Sequence, residues 1–260
     1  MRPLQELSAQ GRLSRPVVDA DRAWTPPEPV RRAVMVHRWD DLSFIHWPCE
    51  PHSIQRLLPP GLEVDPFDGA GWIGLIPFRL TVCLPGTPAI PWVSSCPEIN
   101  VRTYVRGPDG RPGIWFFSLE AARLPAVLLA RGWYHLPYKW ARMRMRRQGP
   151  VVKYESRRRW PGSTSPREEI MVSLGPSIPE SDVGAVERFL IGRWRLFSPM
   201  PEGLAATQVE HPPWQLRSAR VRLLRDELVL AAGLPPPSTD LLVHFSSGVR
   251  VRFARRTLLE

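Results

Sequence analysis

Short apolar and alternating runs, broken by clusters of Pro, Gly and Asp, follow one another from Val34 almost to the C-terminus. A chain punctuated in this way builds many strands joined by turns, with little room for long helices. Residues 72–82 are a long apolar run that follows turn-forming residues at 65–69. Residues 98–105 and 114–119 flank the Gly- and Pro-rich stretch 106–113 and predict a hairpin. Residues 42–47, 151–158 and 170–174 predict further strands, and 241–253 predict a last hairpin turning at Ser246-Ser247-Gly248. A short helix should start at Pro51 and stop at Pro59-Pro60-Gly61, and a second should cover 124–133. The clearest helical period runs over 182–197, with Asp182 as N-cap and Val186, Phe189, Leu190, Trp194 and Phe197 on one face. No repeat or linker interrupts the series. The expectation is one α+β, β-rich domain over residues 34–260 around a closed or nearly closed sheet. Residues 1–33, polar and Pro-punctuated without a period, read as a poorly structured N-terminal extension.

The net charge of +10 invites a nucleic-acid reading, yet 35 residues are Lys or Arg and only Lys139 and Lys153 are lysine. With 31 Pro, this is the signature of a GC-rich coding bias more than of a phosphate track. The clusters Arg142-Met143-Arg144-Met145-Arg146-Arg147 and Arg157-Arg158-Arg159 are accordingly read as solvated faces, and nucleic acid is not the expected partner. No apolar run reaches the roughly 18 residues of a membrane span, and residues 1–20 lack the apolar centre of a secretory signal. Cys49, Cys83 and Cys96 are an odd set without paired spacing. All of this predicts a cytoplasmic protein with reduced thiols.

The stretch with most chemical content is Glu98-Ile99-Asn100-Val101-Arg102-Thr103-Tyr104-Val105. Side chains alternate faces along a strand, so an acid, an amide, a guanidinium and a phenol share one face. A solvent face would hold interchangeable polar residues, whereas Glu98, Asn100, Arg102 and Tyr104 can satisfy one another in a confined lumen. Tyr154, Ser156 and Arg158 offer a second such face. Arg102 offers a fork for a carboxylate, and Glu98 or Tyr104 is the natural proton donor or acceptor. His46-x-x-Cys49-x-x-His52 has zinc-ligand residue types, but Pro48 and Pro51 at a strand-to-helix junction would scatter them. Ser118 lacks the glycines of a nucleophile elbow, and no phosphate loop is present. No metal or cofactor is expected.

Glu98–Val105, Ile114-Trp115-Phe116-Phe117-Ser118-Leu119-Glu120-Ala121 and Leu136-Pro137-Tyr138 resemble the signature segments of the YqjF-like family, a domain of unknown function. His46-Trp47, Leu58-Pro59-Pro60-Gly61-Leu62, Gly71-Trp72-Ile73-Gly74-Leu75-Ile76-Pro77-Phe78 and His211-Pro212-Pro213-Trp214 match in the same order. The resemblance implies an acetoacetate-decarboxylase-like fold, a closed β-barrel around a cavity with extra strands and a few peripheral helices. The enzyme that names this fold forms a Schiff base through a lysine whose pKa an adjacent lysine depresses, assisted by a buried glutamate. By that resemblance Lys139 stands in the lysine segment and Glu98 at the glutamate, while Trp140 replaces the second lysine. Read from the residues alone, Lys139 is a surface or snorkelling lysine, expected to lie outside the cavity.

Three function classes stay open on the sequence. The first is a lyase- or hydrolase-type enzyme acting on a small carboxylate or keto acid. The second is a binding protein using the same pocket without turnover. The third, nucleic-acid binding through the Arg clusters, is the least favoured.

Overall fold

A computed structural model describes residues 25–83, 85–86 and 94–259 of the chain. In chain order the strands are β1 (Met35–Cys49), β2 (Glu63–Val64), β3 (Gly71–Cys83), β4 (Ser95–Arg106), β5 (Pro112–Ala121), β6 (Tyr138–Gln148) and β7 (Val151–Trp160). They continue as β8 (Arg167–Ser177), β9 (Arg195–Met200), β10 (Gly203–Glu210), β11 (Leu216–Asp226), β12 (Leu242–Phe253) and β13 (Thr257–Leu259). Short helices α1 (Pro51–Gln55), α2 (Leu124–Tyr134), α3 (Ala185–Ile191) and α4 (Leu228–Ala231) lie between them. The fold is thus strand-rich α+β with few helices.

The sheet is ring-like. Its order is β13-β10-β9-β5-β6-β7-β8-β11-β12-β1-β3-β4-β2, with further pairings of β10 to β12 and β5 to β4. Two rings of neighbours therefore share β12, β1, β3, β4 and β5 as a common wall. One is completed by β9 and β10, the other by β6, β7, β8 and β11. Both faces of the wall are buried, which is why β3 reads as an almost unbroken apolar run. Leu42, Phe44, Ile76, Phe78, Tyr104, Trp214 and Phe253 fill one side, while Ile45, Trp47, Ile73, Leu75, Ile99, Val101 and Phe245 fill the other. Alternation along β1, β3 and β4 sends successive side chains into different interiors.

Some expectations need correction. The helix expected over 182–197 is α3 alone, preceded by a 3-10 turn at Glu180–Asp182 and with Gly184, not Asp182, at its N-cap. It ends at Gly192, and Arg195–Met200 pairs instead with β10, Leu196 opposite Thr207 and Phe197 opposite Ala206. Phe197 is buried within β9, and Trp194, just before that strand, is buried with its ring against His211. The expected hairpin at Ser246-Ser247-Gly248 is a continuous strand, β12, in which Gly248 at φ 134° faces Asp40 where β1 carries a register shift against β3. Of the expected N-terminal extension, residues 1–24 lie outside the described residues. Residues 25–33 hold no helix or strand, yet Val30 is 1% exposed and its N–H donates to Glu210 Oε2 at 2.7 Å. No helix among the described residues is long and apolar enough to cross a membrane.

Candidate functional site

Strand β4 turns Glu98, Asn100, Arg102 and Tyr104 toward the interior bounded by β9 and β10, and all four are buried. Glu98, Asn100 and Arg102 line a cavity of about 70 Å³ together with Tyr138, Arg193 and His211, over a floor that includes Phe44 and Trp214. That volume holds several waters or a small organic acid. Tyr104, expected with Glu98, Asn100 and Arg102, does not line this cavity and instead fixes Arg102.

Gly74 makes that contact geometrically possible. It pairs with His46 of β1 on one side and Arg102 of β4 on the other, and a Cβ here would stand 3.1 Å from His46 Cδ2 and 3.2 Å from Arg102 Cγ. In the space the missing Cβ leaves, Arg102 Nε donates to Tyr104 Oη at 3.2 Å, and Tyr104 Oη lies 2.6 Å from His46 Nε2. A guanidinium can only donate, so the tyrosine hydroxyl accepts from Arg102, and it shares a second hydrogen bond with His46 Nε2. Burial, with Arg102 and His244 nearby, holds His46 well below the ordinary histidine pKa, so the ring is neutral. Burial also raises the Tyr104 phenol, against the pull of Arg102 and Arg193.

Arg102 makes one further contact, Nη2 to the Leu190 carbonyl at the end of α3 at 3.5 Å, and its guanidinium lies 5.9 Å from the Phe44 ring centre. Among the described residues no carboxylate pairs with it. Arg193 is held differently, by Asp65 Oδ2 at 2.6 Å and the Phe189 carbonyl at 2.6 Å, and its Nη2 has no partner among the described residues. Asp65 also accepts from Arg106. One carboxylate therefore serves two arginines, and this end of the cavity is left with excess positive charge.

The other end is an acid. Glu98 is 3% exposed, and burial pushes its pKa up to about 8, opposed only by the Tyr138 hydroxyl that donates to Oε2 at 3.1 Å. The same burial, with Glu98 beside it, drives Tyr138 well above the ordinary phenol range. At neutral pH Glu98 is mostly a protonated acid inside an otherwise cationic cavity. His211 completes the set, with Nδ1 2.8 Å from the Pro212 carbonyl and its pKa lowered to about 4 by burial and Arg102.

The other residues singled out in the sequence lie elsewhere. Tyr154, Ser156 and Arg158 face the second interior, because β7 belongs to the ring completed by β6, β8 and β11. Tyr154 donates to the Asp41 carbonyl at 2.8 Å and meets Ser43 Oγ at 2.9 Å. Arg158 grips the fully buried Glu120 with both Nε and Nη2, the shorter contact being 2.6 Å. Ser156 Oγ is buried without a partner among the described residues. Lys139 pairs in register with Glu120 and opens on a surface depression beside Arg131 and Pro199, outside the cavity. Burial, Arg158 and Arg131 draw its pKa down, and Glu120 opposes them. His46 is bound to Tyr104 while His52 on α1 is exposed, so the two do not converge. Arg142, Arg144, Arg146, Arg157 and Arg159 are exposed. Sequence reasoning missed Tyr138, Arg193 and His211. Tyr138 and His211 stand inside segments that carry the family resemblance, whereas Arg193 had no signal beyond its neighbours.

The structure is similar to that of the enduracididine biosynthesis enzyme MppR complexed with pyruvate, with TM-score 0.63 and 15% identity over 90% of this chain and 93% of that one. It is also similar to acetoacetate decarboxylase from Legionella pneumophila, with TM-score 0.54 and 15% identity over 98% of each chain. At such identities the likeness speaks for the fold. In sequence, the chain is 34% identical to the uncharacterized protein YqjF of Bacillus subtilis (strain 168), over 85% of this chain and 90% of that protein. Residues 36–250 match the family DUF2071, described as an uncharacterized conserved protein, and the chain belongs to that family.

Proposed function

We propose that the ring-like sheet is a closed barrel whose interior takes a small carboxylate, and that the protein is a lyase-type enzyme moving a proton at that ligand. The observation that carries this reading is Glu98, an acid buried to 3% exposure and hydrogen-bonded to Tyr138, in the same cavity as Arg102, which pairs with no carboxylate among the described residues. Arg102 holds the ligand carboxylate, its orientation fixed through Tyr104 and His46. Glu98, with a pKa of about 8, is matched to proton transfer near neutral pH. Its O–H bond breaks as the proton adds to the carbon of a ligand enolate, the C=C pair becoming the new C–H bond and an oxygen pair restoring the C=O, and the carboxylate left behind keeps the Tyr138 hydrogen bond. In the reverse step that carboxylate takes a proton from the carbon beside the ligand's carbonyl and the C–H pair returns to the enolate. Exclusion of bulk water by the apolar wall strengthens both interactions. MppR, captured with pyruvate, supports a ligand of this size. The chemistry runs without a lysine imine, because neither Lys139 nor Lys153 lines the cavity. The free thiols of Cys49, Cys83 and Cys96 support a cytoplasmic setting.

The test is hydrogen exchange. Incubated in D2O with a panel of short keto and hydroxy acids, the protein should catalyse C–H to C–D exchange in at least one, read by proton NMR. Glu98→Gln should bind that acid but slow its exchange at least a hundredfold. Exchange that survives in Glu98→Gln contradicts the proposal. Binding without exchange or turnover of any acid leaves a binding protein instead.

A further inference from the structure

The polar groups of the cavity wall are not balanced between donors and acceptors. Arg102 and Arg193 can only donate, and protonated Glu98 donates as well. Against them stand two acceptors on the cavity wall, of which Asn100 Oδ1 meets no donor among the described residues. Asn100 is buried on β4 between Glu98 and Arg102.

The other acceptor is His211, whose tautomer follows from elementary chemistry. Nδ1 lies 2.8 Å from the Pro212 carbonyl, which carries lone pairs only, so Nδ1 bears the proton and Nε2 the lone pair. Its ring is held between Trp194 and Trp214, at centroid distances of 4.4 and 4.7 Å, and a flip would lose the Pro212 bond. Burial keeps the imidazole neutral down to about pH 4. Nε2 is therefore a fixed acceptor that cannot turn into a donor at neutral pH. It lies close enough to Arg102 for that guanidinium to help depress its charge.

Resting on the reading of Arg102 as the carboxylate anchor, we propose that the cavity takes a small 2-hydroxy acid in preference to the matching 2-oxo acid, and that His211 is the residue that selects it. A carboxylate on Arg102 brings the carbon next to it toward His211. A hydroxyl there donates to Nε2, whereas an oxo group sets two acceptors against each other. An amino group would arrive as an ammonium beside Arg102 and Arg193 and is repelled. Sites built to bond a hydroxyl reject analogues lacking it by as much as about 10⁴-fold. A water can serve Nε2 when an oxo acid binds, so the discrimination here is set at roughly tenfold or more.

The experiment titrates the wild-type protein at pH 7 with each lactate enantiomer, pyruvate and propanoate by ligand-observed NMR. One lactate enantiomer should bind at least tenfold more tightly than pyruvate or propanoate. In His211→Phe, which keeps an aromatic ring between the two indoles, lactate should fall to the affinity of pyruvate while pyruvate stays within twofold. Arg102→Met should lose all three acids. Equal binding of lactate and pyruvate to the wild type overturns the hydroxyl selection and leaves the carboxylate anchor standing. Failure of all three acids to bind, or binding that survives Arg102→Met, overturns the anchor itself. The wild-type comparison decides the selection even where His211→Phe does not fold.

Discussion

Replacing Glu98 by Gln should make the protein more stable at neutral pH, although it removes the proposed catalytic acid. Glu98 has an ordinary pKa of 4.5 when unfolded and about 8 when folded. Between those values the folded state binds more protons than the unfolded one, so stability falls as pH rises. The contribution is fully present below pH 4.5 and is lost progressively up to the folded pKa. Each pH unit within that window is worth about 1.4 kcal/mol. From pH 4 to pH 7 the wild type therefore loses about 3 kcal/mol through this group alone. The Gln amide keeps an oxygen to accept from Tyr138 and has no proton to lose, so it escapes the loss. Urea unfolding of both proteins at pH 4, 5.5 and 7 gives the comparison directly, since every other titrating group is common to both. The stability difference, Gln minus Glu, should grow by about 3 kcal/mol over that range. Parallel curves would refute the reasoning, because Glu98 would then titrate alike in the folded and unfolded states.

Gly74→Ala places a methyl against His46 and Arg102. It should weaken carboxylate binding at least fivefold and lower stability by about 1–3 kcal/mol, read by ligand titration and urea unfolding. Arg158→Met strands the fully buried Glu120 carboxylate and should cost about 3–5 kcal/mol in the same unfolding assay. Adding Glu120→Gln should restore most of that, with ligand binding unchanged throughout, since the pair faces the other interior. Lys139→Arg should leave binding and hydrogen exchange within twofold, and borohydride treatment of the wild type with acetoacetate should yield no adduct at Lys139.

The alternation of Glu98, Asn100, Arg102 and Tyr104 was legible in the sequence because strand geometry alone puts them on one face. The same logic singled out Tyr154, Ser156 and Arg158, which also share a buried face but in the other interior. Which ring a strand joins is decided by long-range pairing, β7 with β6 and β8, and no local pattern encodes it. The helical period running on to Phe197 is cut at Gly192, because Arg195–Met200 pairs with β10 instead. Ser246-Ser247-Gly248 has turn composition, yet the left-handed freedom of Gly248 serves an irregularity within a continuous strand. His211 and Tyr138 carried no pattern of their own. Their roles come from what folds against them, the two indoles and Pro212 for one and the Glu98 carboxyl for the other.

The proposed chemistry depends on Glu98 holding a proton at neutral pH inside the cavity. Carboxyl-carbon NMR of protein labelled at glutamate Cδ, assigned by loss of one signal in Glu98→Gln, follows that proton directly. Its titration midpoint should lie near 8, and should rise further in Tyr138→Phe, which removes the hydrogen bond that favours the charged form. A midpoint near 4.5, unmoved by Tyr138→Phe, would mean that Glu98 is a solvated carboxylate and would contradict the proposed chemistry.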